Sequence, residues 1–280
     1  MLFLILAMIC SSSLALILKH GHVKNNNTVL LINGNYATAS LFSLAFIIFK
    51  YGYNFSIEVI VFGAFLGVLF AGTFIIYSKA ISLAGTALAT VSARLSVLIP
   101  VLAAIIFYGE SPNIKMLLGF GLALITLYLF YLSLKNHGTV EGRKGKYIYL
   151  LSLLVGIGLV DLSMKMFEQN FPISEKGVFV FTIFFSAFIY TSLYLIIKKI
   201  KFDKGTFNLG LMLGVPNVLA INFLLAALDE LPAIVVFPVM NIGVIVITAV
   251  VAYLIWKEQI NLYGKIALAF GIAAILLLKL

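Results

Sequence analysis

Ten apolar runs follow one another along the chain, each long enough to cross a lipid bilayer. They cover roughly 2–18, 28–49, 57–81, 84–107, 113–134, 146–167, 174–197, 206–228, 232–256 and 261–279, with short polar stretches between them. A helix needs about 20 apolar residues to span the hydrocarbon core. Backbone in hydrocarbon must satisfy its own hydrogen bonds, which leaves only helices and closed barrels. These runs are too long and too continuous for barrel strands. The pattern predicts an all-α integral membrane protein with ten transmembrane helices. The first run lacks a basic leading segment and a small-x-small cleavage site, so it reads as a retained helix and not as a signal peptide.

Charge supports the same class. Charged residues make up 10% of the chain and hydrophobic ones 63%, whereas a soluble domain carries about 25% charged residues. The net charge of +9 would suggest nucleic acid only if the basic residues formed a soluble face. They cluster instead in short loops, "EGRKGK" (141–146) and "KKIKFDK" (198–204), as in cytoplasmic loops of membrane proteins. No nucleic-acid partner is expected; the partners are the lipid bilayer and a small-molecule substrate, with the chain a monomer or homodimer. Cys10 is the single cysteine, which excludes a disulfide framework and a cysteine metal site. His20, His22 and His137 read as loop residues, and no metal or cofactor is expected.

The polar linker 135–146 leaves five apolar runs on each side. A shift of 148 that sets Glu110 on Glu258 lays residues 77–110 on 225–258 without a gap. Each copy has a helix end, a tight connection ("SLAGT", "ELPAI"), a long apolar run, an aromatic residue two before a Glu, and a new helix. Identities are few, and the shared layout carries the comparison. Because five is odd, two tandem copies enter the membrane in opposite orientations. That is the inverted repeat of secondary transporters, which bind substrate near the midplane where the copies meet. The expected division is 1–134 for the first five-helix repeat, 135–146 for the linker and 147–280 for the second repeat.

At this point the chain resembles the drug/metabolite transporter superfamily, in its ten-helix EamA-like branch. The resemblance is carried by the 5+5 plan, the short third-to-fourth and eighth-to-ninth connections, and "FYGE" (107–110) and "IWKE" (255–258), each followed by a Gly-containing helix. It implies a central cavity lined mainly by helices 1, 3, 4, 6, 8 and 9, with both termini in the cytoplasm. It does not identify a substrate. The basic residues point the other way on sidedness. Lys19, Lys24 and both basic clusters fall in odd-numbered loops, and only Lys50, Lys115 and Lys176 in even-numbered ones. The positive-inside rule therefore places the termini outside.

One residue asks for a functional explanation. The chain has 17 Lys and two Arg, and Arg94 lies about ten residues into the fourth run. A guanidinium cannot be neutralised by proton loss, and near mid-bilayer it is costly. Three partners are open to it: Asp161, the acidic residue farthest from a helix end; a carboxylate or phosphate of a substrate, which its planar fork suits; or water in an open cavity. Lys165, four residues after Asp161, is placed to balance that carboxylate. Pro216 with Asn217, and Pro238 with Asn241, mark helix positions where a freed carbonyl needs a partner. Asn217, Asn222 and Asn241 are read either as cavity lining or as links between helices. Tyr77 and Tyr36 are aromatic candidates for the cavity wall. Gly63, Gly67 and Ala71, and Gly210 with Gly214, form small-residue ladders that suit close helix packing, either static or sliding. Glu110 and Glu258 read as caps of the helices that follow them.

Catalytic motifs are missing from the sequence: no Walker loop, HExxH or Gly-x-Ser-x-Gly appears. The expected function is a secondary transporter that moves a small polar metabolite, such as an amino acid or another compound with an anionic group, by alternating access. The expected location is the cytoplasmic (inner) membrane of a prokaryote. A channel or a non-transporting structural subunit is the alternative.

Overall fold

The structure, a computed structural model, describes residues 1–23, 27–51, 56–135, 145–256 and 261–279. Glu258 and the linker residues 136–144, with His137 and Arg143, lie outside the described residues, as do the side chains of Lys19, His20 and His22.

Every described element is helical: α1 Leu2–Val23, α2 Thr28–Phe46 with a π-helical turn Ile47–Tyr51, α3 Ile57–Leu95, α4 Leu98–Phe107, α5 Ile114–Lys135, α6 Lys146–Asn170, α7 Lys176–Ile197, α8 Lys204–Glu230, α9 Ala233–Trp256 and α10 Leu262–Lys279. Among the described residues eight stretches are long and apolar enough to cross a membrane, and Leu2–Leu14 and Leu262–Leu278 are shorter apolar helices. Exposed Leu, Ile, Phe and Tyr side chains cover the outside, as a lipid-facing surface requires.

One boundary departs from expectation. Helical hydrogen bonding continues through "SLAGT" to Leu95, but the candidate spans part there, Ile57–Ala84 from Leu88–Phe107. Ala80 and Ala89 pack in one cluster around Leu153, nearer than a straight helix brings residues nine apart, so the chain turns at the expected connection. A second interruption, which was not expected, comes at Ser96–Val97, and Pro100 is its cause. Proline has no N–H, and its ring crowds the carbonyl four residues earlier, which is that of Ser96. That carbonyl accepts the Ile99 N–H at 3.0 Å, in a tighter turn, while the Val97 N–H bonds back to Arg94 at 3.3 Å. The matching connection "ELPAI" breaks the chain between α8 and α9, because Pro232 sits there.

Contacts divide the chain into two compact units, each drawing on both halves of the sequence. Unit 1 holds Met1–Leu4, Thr73–Lys165 and Ala227–Leu280; unit 2 holds Ile5–Gly72 and Met166–Ala226.

In unit 2, α2 packs on α7 around the buried side chains of Tyr36, Ile183 and Phe184. Tyr36 is therefore core, against Phe184 with ring centroids 6.1 Å apart, and not a cavity wall. The glycine ladders close two crossings. A Cβ on Gly67 of α3 would lie 2.7 Å from the Ile183 carbonyl of α7, and one on Gly214 of α8 would lie 2.6 Å from the Asn35 carbonyl of α2. Only glycine lets the backbones come so near. Phe62, Phe167, Phe171 and Phe179 form a stack, with the ring centroids of Phe167 and Phe179 only 4.1 Å apart. Asn33 ties α2 to α7 through the hydroxyls of Thr191 (3.0 Å) and Ser192 (2.8 Å).

In unit 1, α5 packs along α10, and α9 packs on α4, α5 and α10. The α9 segment from Ala233 to Val239 is almost wholly buried, which suits a helix apolar on all sides. Ser133 and Asn261 bond each other twice, at 2.7 and 2.9 Å, where α5 ends and α10 begins.

Candidate functional site

Arg94 occupies the last turn of α3, two residues before the break. Its guanidinium donates to Oδ1 of Asn241 on α9 at 3.2 Å. The orientation of the Asn241 amide is determined at both ends. Its nitrogen donates to the Phe237 carbonyl at 3.0 Å, which leaves the oxygen for the guanidinium. Asn241 is 8% exposed, whereas Arg94 is only half-buried. Among the described residues Asn241 is its sole hydrogen-bond partner.

Two more expected residues gather here. Tyr77 of α3 and Asp161 of α6 act on Arg94 through space, and both are half-buried. Tyr77 is held edge-on to Phe74 with centroids 6.2 Å apart and rests on the cluster of Ala80, Ala89 and Leu153. Of the three partners left open for Arg94, the direct ion pair with Asp161 does not form: among the described residues no salt bridge joins them. Asn241 takes that place, because α9 brings its amide within hydrogen-bonding distance. Thr73, one turn before Tyr77, is the one buried side-chain oxygen without a partner among the described residues. It faces Gly156 of α6, where a Cβ would sit 2.8 Å from its hydroxyl.

Glu110 is a cap, but of a different helix from the one expected. Gly109 adopts φ +66°, a left-handed conformation open to glycine, and turns the chain at the end of α4. The carboxylate then accepts the N–H groups of Ala233 (2.8 Å) and Ile234 (3.2 Å) at the start of α9. Lys165 of α6 pairs with it at 3.1 Å, and the two side chains are 4% and 13% exposed. The Lys165 ammonium thus meets Glu110. Capping of α5 falls to Asn113, which accepts the Met116 N–H at 2.9 Å.

A family model described as EamA-like transporter family matches residues 1–132. An uncharacterized protein of Haemophilus influenzae is 30% identical over 97% of this chain and 95% of its own length. The chain belongs to the EamA-like transporter family. Its members are membrane transporters, so this is an integral, multi-pass membrane protein of a transporter family. A solved crystal structure shares the fold with a TM-score of 0.80 at 17% identity, over 100% of this chain and 97% of that one.

The remaining expected residues of this EamA-like protein lie in unit 2. Asn217 donates to Oδ1 of Asn35 at 3.1 Å, a link between α8 and α2. Asn222 turns its amide back to the Val218 carbonyl at 2.9 Å. Its own carbonyl accepts the buried Lys176 ammonium of α7 at 2.6 Å. The sequence reading missed Asn35 and Lys176. Asn35 had a legible signal, an amide inside an apolar run. Lys176 sits at a run's edge, where a solvated lysine is the ordinary reading.

Proposed function

We propose that this EamA-like protein is a secondary transporter that carries a small polar metabolite bearing a carboxylate or phosphate, with Arg94 holding that group. The observation that carries the reading is the placement of the guanidinium. It is deep in the chain's apolar span and only partly exposed, and among the described residues it is hydrogen-bonded only to a neutral amide. A guanidinium kept for structure would be paired on more of its donors, because unsatisfied charge in low dielectric is costly. A fork left open at a helix break, beside Asn241, Tyr77 and Asp161, suits a bidentate anion. Discontinuous membrane helices mark substrate sites in other transporters. Asn217 and Asn222, whose amides are engaged within unit 2, carry no part of this reading.

Alternating access by two inverted five-helix repeats, with ten spans in the cytoplasmic membrane of a prokaryote, is the mechanism we attach to it. Three packings support it. Helices α2 and α7, α4 and α9, and α5 and α10 occupy matching places in the two halves, and each pair packs together. A twofold axis brings equivalent elements together in this way. The shift of 148 sets Arg94 on Ile242, so the Arg94–Asn241 bond joins nearly equivalent points.

The test is a thermal-shift screen of the detergent-purified protein against metabolite pools, followed by flux in proteoliposomes. A bound ligand raises stability by mass action. Arg94→Lys keeps the charge and loses the fork, so it should reduce transport far more than it reduces the melting temperature. Unchanged transport by Arg94→Lys and Arg94→Ala would exclude the role of Arg94.

A further inference from the structure

We propose that Arg94 and Asp161 together set the charge of the cargo: the site takes a ligand that is neutral overall, either a zwitterion alone or a monoanion accompanied by one proton on Asp161. This rests on Arg94 being the holder of an anionic group.

Arg94 stays protonated under all ordinary conditions. Asp161 lies inside α6, and Arg94 is the charge that acts on it through space. The carboxylate has no ion pair among the described residues, so it balances Arg94 without being blocked by it. Among the described residues no other charge is shown acting on Arg94 or Asp161. Besides Arg94, α3 carries Glu58, Tyr77 and the exposed Lys79, of which Tyr77 is the one that acts on Arg94, and α9 contributes the neutral Asn241. Helix α4, whose Ile99 lies over Gly158 of α6, has no ionisable residue. On α6 itself Lys165 is one turn farther along, and its ammonium meets Glu110.

The empty site therefore carries one positive and one negative charge. A monoanion on the guanidinium adds a second negative charge in a low-dielectric setting, where each uncompensated charge is costly. A proton from water on a carboxylate oxygen of Asp161 restores neutrality. It leaves to water when the ligand leaves, and no bond of the ligand changes. A zwitterion needs no proton, since its ammonium faces Asp161 while its carboxylate faces Arg94. The half-burial of both side chains leaves each open to such contacts.

The experiment uses matched pairs that differ only in the ammonium: alanine and lactate, leucine and its α-hydroxy analogue, phenylalanine and phenyllactate. Affinities of the detergent-purified protein are measured by thermal shift across neutral pH. For wild type, hydroxy-acid affinity should fall by about tenfold per pH unit as pH rises, the slope of one linked proton, while amino-acid affinity stays level. Asp161→Asn should bind hydroxy acids with no pH slope and amino acids more weakly; Asp161→Glu should keep the slope. Level hydroxy-acid binding in wild type, or a slope that survives in Asp161→Asn, overturns the charge rule. Wild-type hydroxy-acid binding by Arg94→Gln overturns the anion-holding role of Arg94 and the charge rule with it. Loss of binding in Arg94→Gln with no change of slope in Asp161→Asn removes the charge rule alone.

Discussion

The Arg94 guanidinium donates to Asn241 Oδ1 over 3.2 Å, and so joins a helix end beside Pro100 to a helix that contains Pro238. The bond connects the first half of the sequence to the second across 147 positions. Asn241→Leu should cost about 1.5–3 kcal/mol, the range for a hydrogen bond to a charged group. Asn241→Asp should move the two readouts in opposite directions. It gives Arg94 a resident carboxylate, so the melting temperature should hold or rise while flux of an anionic substrate falls. Wild-type flux in Asn241→Asp would count against an anion on Arg94.

Glu110 stabilises by two routes, as a cap of α9 and as the counter-ion of Lys165. Glu110→Ala leaves a buried ammonium without this partner and should cost about 3–5 kcal/mol. Adding Lys165→Met should recover part of that loss, because no charge is then stranded. Thermal unfolding of the single and double variants measures the coupling. Simple additivity would show that the pair at 3.1 Å contributes nothing.

Outside the spans, Asp203 precedes α8 and accepts the Thr206 N–H at 2.6 Å. Hydrogen bonds from Thr206, first its side chain and then its backbone, hold the carboxyl below the usual carboxylate range. A lowered value means the stabilisation is present at neutral pH and is lost as pH falls through the folded-state value. Amide exchange at Thr206 and Phe207, corrected for its intrinsic pH dependence, should therefore rise in acid. Asp203→Ala should show the raised exchange already at neutral pH, with no further acid step.

The basic loops predict an orientation. By the positive-inside rule the linker 135–146 is expected on the cytoplasmic side and the termini outside, opposite to what the family resemblance implies. A cysteine placed in the linker should resist an impermeant thiol reagent on intact cells and react once the cells are permeabilised. Ready labelling from outside would reverse the orientation and put the termini in the cytoplasm.

Several residues of the candidate site stand out singly in the sequence. Arg94 and Asp161 stand out because a charge inside an apolar run has few innocent explanations, and Asn241 because of Pro238 nearby. Their grouping was legible only in part. An ion pair is the simplest partner for a lone Arg, yet the structure gives the contact to a neutral amide. Glu110 shows the same gap. "FYGE" marks a capping carboxylate, and sequence proximity points it at α5. The turn at Gly109 sends it to Ala233 and Ile234 of α9 instead.

The sequence alone determined the environment and the secondary structure. Repeated apolar runs of membrane-crossing length, in a chain with 10% charged residues, are compatible only with helices in lipid, because the backbone must bond to itself there. Pro100 also determines a break, and that signal was present to be read. What only the tertiary structure decided is which helix faces which. In lipid the apolar faces of helices resemble one another and the solvent around them, so hydrophobicity does not select partners. Close approach at Gly67 and Gly214, the bonds of Asn33 to Thr191 and Ser192, and the Lys165–Glu110 pair make that selection. Each depends on residues more than fifty positions apart meeting within hydrogen-bond or van der Waals distance, and no local pattern specifies that.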